Sequence, residues 1–92
     1  MKIDFDPKKS EKNANERGLP FEKAADFDWE DAIYAEDNRK EYSEQRFVAM
    51  GYLGARLHVI CFTSIEGGVR IISFRKANLR EVKRYEKETT NK

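Results

Sequence analysis

Residues 46–74, RFVAMGYLGARLHVICFTSIEGGVRIISF, decide the fold of this 92-residue chain. Three runs within the stretch are rich in β-branched and aromatic residues. Each run either alternates between apolar and polar residues or is apolar throughout, and both patterns are typical of strands. The predicted strands are Arg46–Leu53, Arg56–Ser64 and Val69–Phe74. Gly54-Ala55 has the Gly-X form of a two-residue hairpin turn. The connection Glu66-Gly67-Gly68 is too short to join parallel strands, so the strands on either side of it must be antiparallel. We therefore predict a three-stranded antiparallel meander.

Helices are predicted before and after this meander. Asp6-Pro7 provides a capping side chain and a proline at the first helical position, and Gly18 provides a typical C-terminal stop. Leu19-Pro20 opens a second helix in the same way, with apolar residues three and four positions apart. A third helix is predicted from Lys76 to Glu88, followed by a frayed tail at residues 89–92.

The remaining segments complete an α+β architecture. Polar and apolar residues alternate in Lys2–Phe5, which is predicted to be a short strand that pairs at one edge of the meander. Residues 26–44 carry eight acidic and two basic residues, and we predict a loop with at most one helical turn. The predicted order β-α-α-β-β-β-α describes one antiparallel sheet packed by helices on one face, within a single domain spanning residues 1–92.

The composition limits the classes of site and the cellular location. Cys61 is the only cysteine and His58 the only histidine, so disulfides, structural zinc and a two-histidine acid/base pair have no basis. We expect neither a metal nor a cofactor. No apolar run approaches the roughly 18 residues of a membrane helix. Residues 1–6 lack the apolar core of a signal peptide, so we expect a cytoplasmic protein.

The net charge of +1 conceals a division between the two halves of the chain. Residues 1–45 carry 8 basic against 13 acidic residues, a net charge of −5, whereas residues 46–92 carry 10 against 4, a net charge of +6. This division suggests a polyanionic partner for the basic half. The alternative is that solvated faces simply differ in charge.

Two stretches of sequence carry a family resemblance. The first comprises Ile3-Asp4-Phe5-Asp6-Pro7-Lys8-Lys9, Asn13, Arg17-Gly18 and Phe21-Glu22-Lys23-Ala24. The second comprises Glu44-Gln45-Arg46, Gly51, Arg70-Ile71-Ile72-Ser73-Phe74-Arg75-Lys76-Ala77, Glu81 and Tyr85. In order and spacing they resemble the F-x-W-D-x-x-K-x-x-x-N, K-H-G, E-x-R and R-I-I-S-A-R-x-A patterns of BrnT toxins. Phe5, Arg17 and Phe74 stand where the family usually has Trp, His and Ala.

The resemblance implies a RelE-like fold and ribonuclease activity as the toxin of a type II toxin–antitoxin system, which inhibits translation. The substrate would be RNA, free or at the ribosome. The resemblance also implies a hetero-oligomer with a BrnA-like antitoxin of the ribbon-helix-helix type, through which the complex binds DNA and represses its operon. The alternative is a catalytically inactive toxin-fold partner within that repressor complex, which the three departures would explain.

Arginines are the leading candidates for the chemistry. Metal-free RNA cleavage requires deprotonation of the 2′-OH, neutralisation of the phosphorane charge and protonation of the leaving 5′-oxygen. Arg70 is predicted to share a strand face with Ile72 and Phe74, and Arg75 follows the end of the strand. One interpretation is that Arg70 and Arg75 line a cleft and clamp the scissile phosphate. The other is a structural ion pair with the acidic segment, for instance with Glu44.

Three further residues are candidates for the catalytic site. Glu44 and Arg46, at positions i and i+2, point to the same face of an extended chain. Glu44 is then either a general base or an acceptor that fixes Arg46 or Arg70, and we favour the fixing role. His58 is either a proton shuttle with a pKa near neutrality or a satisfied, half-buried strand residue.

Basic residues outside the meander are candidates for RNA binding. Lys8 and Lys9 lie at a predicted helix N-terminus, where backbone N–H groups can hold a phosphate. The terminal helix is predicted to present one basic face, made of Lys76, Arg80, Lys83, Arg84 and Lys87. Both sets are also compatible with ordinary solvated surfaces. The acidic segment 26–44 suits an antitoxin of complementary charge, or it neutralises the basic face until RNA competes.

Overall fold

The computed structural model describes residues 1–90 and contains one five-stranded sheet with three helical segments. The strands are β1 Lys2–Asp4, β2 Ile33–Glu36, β3 Phe47–Leu53, β4 Arg56–Ile65 and β5 Gly68–Lys76. The helical segments are α1 Pro7–Arg17, a 3₁₀ helix at Phe21–Asp26 and α2 Leu79–Thr90. The α+β class predicted from the sequence is confirmed.

The predicted meander forms the centre of the sheet. β3 pairs antiparallel with β4, and β4 pairs antiparallel with β5, so both predicted hairpins are present. β1 pairs with the outer edge of β5, which confirms that the opening strand lies at one edge of the meander. This pairing is parallel, so the prediction of a purely antiparallel sheet is wrong. The strand order is β1-β5-β4-β3-β2.

β2 corrects the prediction of a loop across residues 26–44. It pairs antiparallel with β3, with Ile33 opposite Met50 and Glu36 opposite Phe47. The strand is short, and three of its four residues are exposed, so it shows no alternating apolar pattern. Its hydrogen bonds to the free edge of β3 stabilise it, and this tertiary contact is invisible to a local reading of the sequence.

Helices cover both faces of the sheet, so the predicted one-sided packing is wrong. Neighbouring residues of a strand point to opposite faces, and Ala49 and Met50 accordingly belong to two separate core clusters. The first cluster packs under the 3₁₀ helix and contains Phe21 and Phe74. The second packs under α2 and contains Tyr85. The physical reason is that both faces of β4 are apolar and need cover, because Leu57–Phe62 is buried without interruption.

The helix ends follow their capping residues. The Asp6 side chain accepts a hydrogen bond from the backbone N–H of Lys8 at 2.9 Å, and Gly18 ends α1 with a φ of 69°. The second predicted helix is present as a 3₁₀ helix. α2 begins at Leu79 rather than at Lys76, which remains in β5. It extends through Thr89 and Thr90, which were predicted to fray, whereas residues 91–92 of that tail lie outside the described residues.

Candidate active-site groove

A groove of about 470 Å³ runs beside α2 on its face of the sheet, and we call it the α2 groove. α2 covers only part of this face, and the groove lies along its flank above β3 and β4. The apolar floor includes Val48, Met50, Val59 and Cys61. Charged residues line the groove as well, and they are Glu36, Asp37, Arg39, Arg75, Glu81, Arg84 and Glu88.

A β-bulge in β5 directs Arg75 into the groove. Cys61 pairs with Ser73 and Phe62 with Ile71, so Ile72 is an extra residue between them. An extra residue shifts the alternation of side chains by one position. Phe74 therefore points into the core under the 3₁₀ helix, where it is 0% exposed, and Arg75 points to the other face. The prediction that Arg70 shares a face with Phe74 is wrong for the same reason.

Arg75 is held by Glu81 in a bidentate ion pair. Its Nη1 and Nη2 donate to Oε1 and Oε2 of Glu81 at 2.8 and 2.9 Å. Nη1 also donates to the backbone oxygen of Lys76 at 3.3 Å, whereas Nε makes no hydrogen bond with any other group in residues 1–90. Hydrogen bonding to Arg75 lowers the pKa of Glu81 and, in return, Glu81 raises the pKa of Arg75. Both groups are therefore ionised at neutral pH.

Arg39 and Asp37 form a second bidentate pair on the rim. Nε and Nη2 of Arg39 donate to the two carboxylate oxygens of Asp37, each at 2.8 Å. The Asp37 side chain is 1% exposed and also accepts from the Tyr42 hydroxyl at 3.2 Å, whereas the Arg39 side chain is 77% exposed. These hydrogen bonds, chiefly from Arg39, hold the pKa of Asp37 far below its usual range. The sequence analysis missed both residues, although Arg39 is one of only two basic residues in the acidic segment.

Arg84 is the third guanidinium of the groove and the only predicted RNA-binding residue that lines it. Its Nε lies 3.4 Å from Oε1 of Glu88, one helical turn away, and both side chains are exposed. The groove therefore carries three guanidinium groups against four carboxylates. Each arginine already has a carboxylate partner, so a phosphate that binds here must use unoccupied donors or displace a partner.

Arg70 does not reach the groove. It lies on the exposed part of β5, and its Nη1 donates to Oδ2 of Asp4 at 2.6 Å. The structure thus does not bring Arg70 and Arg75 into one cavity. The partner of Arg70 is a residue of β1 rather than Glu44.

Glu44 and Arg46 lie together just before β3 and outside the lining of the groove. Nε of Arg46 is 3.6 Å from Oε1 of Glu44, and the Arg46 guanidinium lies 4.0 Å from the ring centre of Tyr42. The Arg46 Nε atom is buried and forms no hydrogen bond to the described part of the protein. This geometry favours the fixing role for Glu44 over a role as general base.

His58 is enclosed on the opposite face of the sheet. It is 3% exposed, its Nδ1 lies 2.8 Å from the backbone oxygen of Arg56, and its ring packs edge-on to Phe74 at 5.6 Å. Burial lowers its pKa because the charged imidazolium loses hydration. The arrangement favours a structural role, since the imidazole packs on Phe74 on one face of the sheet and the α2 groove lies on the other.

The other basic residues lie on exposed surfaces. Lys8 and Lys9 are in the first turn of α1, where the Asp6 carboxylate already accepts from the Lys8 N–H and competes with any phosphate. Lys76 ends β5, and Arg80 and Lys83 lie on the exposed side of α2. Their RNA-binding role stays a prediction.

Within residues 1–90, no three His, Cys, Asp or Glu side chains lie close enough to hold a metal ion together. In the same part of the chain, no helix has the length and apolar character required to cross a membrane.

Comparison with known proteins identifies the family. No curated protein matches the chain. The family model described as "Ribonuclease toxin, BrnT, of type II toxin-antitoxin system" matches residues 5–81. The matched range contains Arg39, Arg75 and Glu81 and therefore most of the rim of the α2 groove. The chain belongs to the BrnT family of ribonuclease toxins from type II toxin–antitoxin systems.

Proposed function

We propose that the chain is a metal-independent endoribonuclease that cleaves RNA in the α2 groove and thereby inhibits translation in the cytoplasm. The ribose 2′-oxygen attacks the adjacent phosphorus, and the bond from phosphorus to the 5′-oxygen breaks. The 2′-OH loses a proton and the leaving 5′-oxygen gains one, so the products carry a 2′,3′-cyclic phosphate and a 5′-hydroxyl. The observation that carries the proposal is the position of Arg75 in the groove.

Arg75 supplies positive charge where the transition state gathers negative charge. A guanidinium has two edges that can bind a pair of oxygens, the Nη1/Nη2 edge and the Nε/Nη2 edge. Glu81 occupies the first edge, and the second has an unused Nε. The second edge matches two non-bridging phosphate oxygens, and preorganised donors of this kind are a large source of rate enhancement.

Arg39 and Arg84 extend the positive charge along the groove. The pair of Arg84 with Glu88 is exposed, and such pairs contribute only about 0–1 kcal/mol. A neighbouring RNA phosphate can therefore replace Glu88 at little cost. From Arg84, the exposed residues Arg80 and Lys83 continue the basic surface of α2 and would follow the RNA backbone.

Membership of a type II family implies a protein antitoxin. We propose a BrnA-like antitoxin of the ribbon-helix-helix type, which binds DNA on behalf of a hetero-oligomeric complex. The acidic segment 26–44 supports this proposal, because it supplies the exposed strand β2 and part of the groove rim. An antitoxin with complementary charge that binds there would cover the groove.

The test is digestion of purified RNA by the purified protein, with EDTA in the ribosome-free reaction and with Mg²⁺ retained in a second reaction that contains ribosomes. We expect fragments that end in a 2′,3′-cyclic phosphate in EDTA, and loss of these fragments for a folded Arg75→Ala variant. Arg56→Ala, outside the groove, serves as the matched control, and circular dichroism verifies the fold. Absence of cleavage by the wild type in both settings would refute the activity, and dependence on a metal would refute the mechanism.

Growth arrest on expression, relieved by the antitoxin, separates a toxin from an inert repressor partner.

A further inference from the structure

We infer that Glu81 is a positioning residue, through which the first turn of α2 sets the orientation of the Arg75 guanidinium in the α2 groove. The inference rests on the proposed function, since it concerns how Arg75 is presented to a phosphate. It depends on a single carboxylate that joins two structural elements, the end of β5 and the start of α2.

Glu81 is anchored by a reciprocal capping box with Asn78. The backbone N–H of Glu81 donates to Oδ1 of Asn78 at 2.8 Å, and the backbone N–H of Asn78 donates to Oε1 of Glu81 at 2.9 Å. The same carboxylate accepts both Nη groups of Arg75. Three donors therefore hold its two oxygens, and the carboxylate has little freedom to rotate.

This anchoring selects which edge of Arg75 faces the groove. Without Glu81, the remaining contact is the 3.3 Å hydrogen bond to the backbone of Lys76, and the half-exposed guanidinium would sample several orientations. With Glu81 in place, the Nη1/Nη2 edge is occupied and the edge that contains Nε stays available. Fixing the donor before the substrate arrives removes an ordering cost from the chemical step.

A purely structural role for Glu81, as a helix cap, makes a different prediction. If capping alone mattered, loss of the Asn78 side chain would impair RNA cleavage at least as much as loss of the Glu81 charge. Asn78→Ala removes the capping side chain and leaves the carboxylate beside Arg75. Glu81→Gln keeps an oxygen for the cap and removes the ion pair. The two variants therefore separate the two roles.

The experiment compares wild type, Glu81→Gln and Asn78→Ala in the RNA or ribosome setting in which the wild type cleaves. We expect Glu81→Gln to lower kcat by about 10- to 100-fold, the size of a misplacement of a catalytic group. Affinity for a 2′-O-methylated oligonucleotide, which lacks the nucleophile, should change by less than about 3-fold, because an interaction that acts in the transition state affects kcat rather than ground-state binding. Asn78→Ala should lower the melting temperature and retain kcat within about 2-fold, since the backbone N–H that donates to the Glu81 carboxylate and the ion pair with Arg75 both remain.

Two results would overturn the inference. One is a wild-type kcat in Glu81→Gln, and the other is a loss of kcat in Asn78→Ala that equals or exceeds the loss in Glu81→Gln. If the wild type cleaves no RNA, the proposed function fails, and nitrogen-15 NMR of Arg75 then decides on the positioning role. Separate Nη signals in the wild type that merge in Glu81→Gln support it, and identical spectra of the two proteins overturn it.

Discussion

Arg70 and Asp4 are direct partners in the parallel pairing of β1 with β5, and Arg70 Nη1 donates to Asp4 Oδ2 at 2.6 Å. The contact joins residues that are 66 positions apart and helps to hold the three-residue strand β1 at the edge of the sheet. Arg75, five positions further along β5, instead lines the α2 groove. Two arginines of one strand therefore have different surroundings, which suggests different roles.

Replacement of each arginine by alanine should separate these roles. We expect Arg70→Ala to cleave RNA within about 3-fold of the wild type and to lose at most about 1 kcal/mol of stability, because exposed ion pairs contribute that much or less. Arg75→Ala should lose about 100-fold or more in kcat, as expected when a charge-stabilising donor is removed. Single-turnover cleavage and urea unfolding measure the two effects. A larger cleavage defect in Arg70→Ala than in Arg75→Ala would contradict the assignment.

The Glu81 carboxylate should make stability depend on pH in the acidic range. Its folded pKa lies below the ordinary value of 4.5, so the unfolded chain binds the proton more tightly. The stabilisation is therefore complete above about pH 4.5 and declines as the pH falls toward the lower folded pKa. Urea unfolding of wild type and Glu81→Gln between pH 7 and pH 3 should show a stability difference that shrinks with acidification. A difference that stays constant over this range would be inconsistent with the lowered pKa.

His58 should affect stability and leave the chemistry unchanged. Burial lowers its folded pKa from the ordinary 6.5, so its contribution to stability is complete above that pH and is lost as the pH falls below it. His58→Gln removes this titration, and its stability should vary less than that of the wild type as the pH falls from 7. The pH–rate profile for RNA cleavage should keep its shape. A shifted profile in the variant would assign a catalytic role to the imidazole.

Gly51 is required by close packing in β3. A Cβ atom at this position would lie 2.9 Å from Cβ of Ala32 and 2.9 Å from Cζ of Phe27, closer than real Cβ atoms approach other atoms. Gly51→Ala should therefore cost about 1–3 kcal/mol through overpacking. Adding Phe27→Leu shortens the opposing side chain and should reduce the extra cost of the alanine. Urea unfolding of the two single variants and the double variant tests the coupling, and strict additivity would argue against the clash.

Phe74 fills the centre of the core under the 3₁₀ helix. It is fully buried, and its ring lies edge-on to Phe27 at 6.5 Å. Phe74→Ala should cost about 3–5 kcal/mol, because the cavity cannot close around so large a loss. Ile72→Ala, at the half-buried bulge position, should cost clearly less. Thermal unfolding compares the two variants, and equal costs would contradict a central role for Phe74.

Local sequence signals predicted the elements that need few long-range contacts. Asp6 and Gly18 define α1 because capping and left-handed backbone are properties of single residues. The apolar runs define β3, β4 and β5, and they were found within a few residues. The N-x-x-E spacing of Asn78 and Glu81 is a signal for the start of α2, but the predicted boundary lies at Lys76.

The amino-acid sequence by itself determined the α+β class, the central meander, the capped first helix and the BrnT resemblance, because these depend on periodicity, turn chemistry and motif spacing. Only the tertiary structure decided that β2 completes the sheet, that helices cover both faces and that Arg39, Arg75 and Arg84 share a groove. For Arg75, the physical reason is the bulge at Ile72. One extra residue reverses which side chains face the core, and its position depends on pairing with β4 rather than on any local pattern.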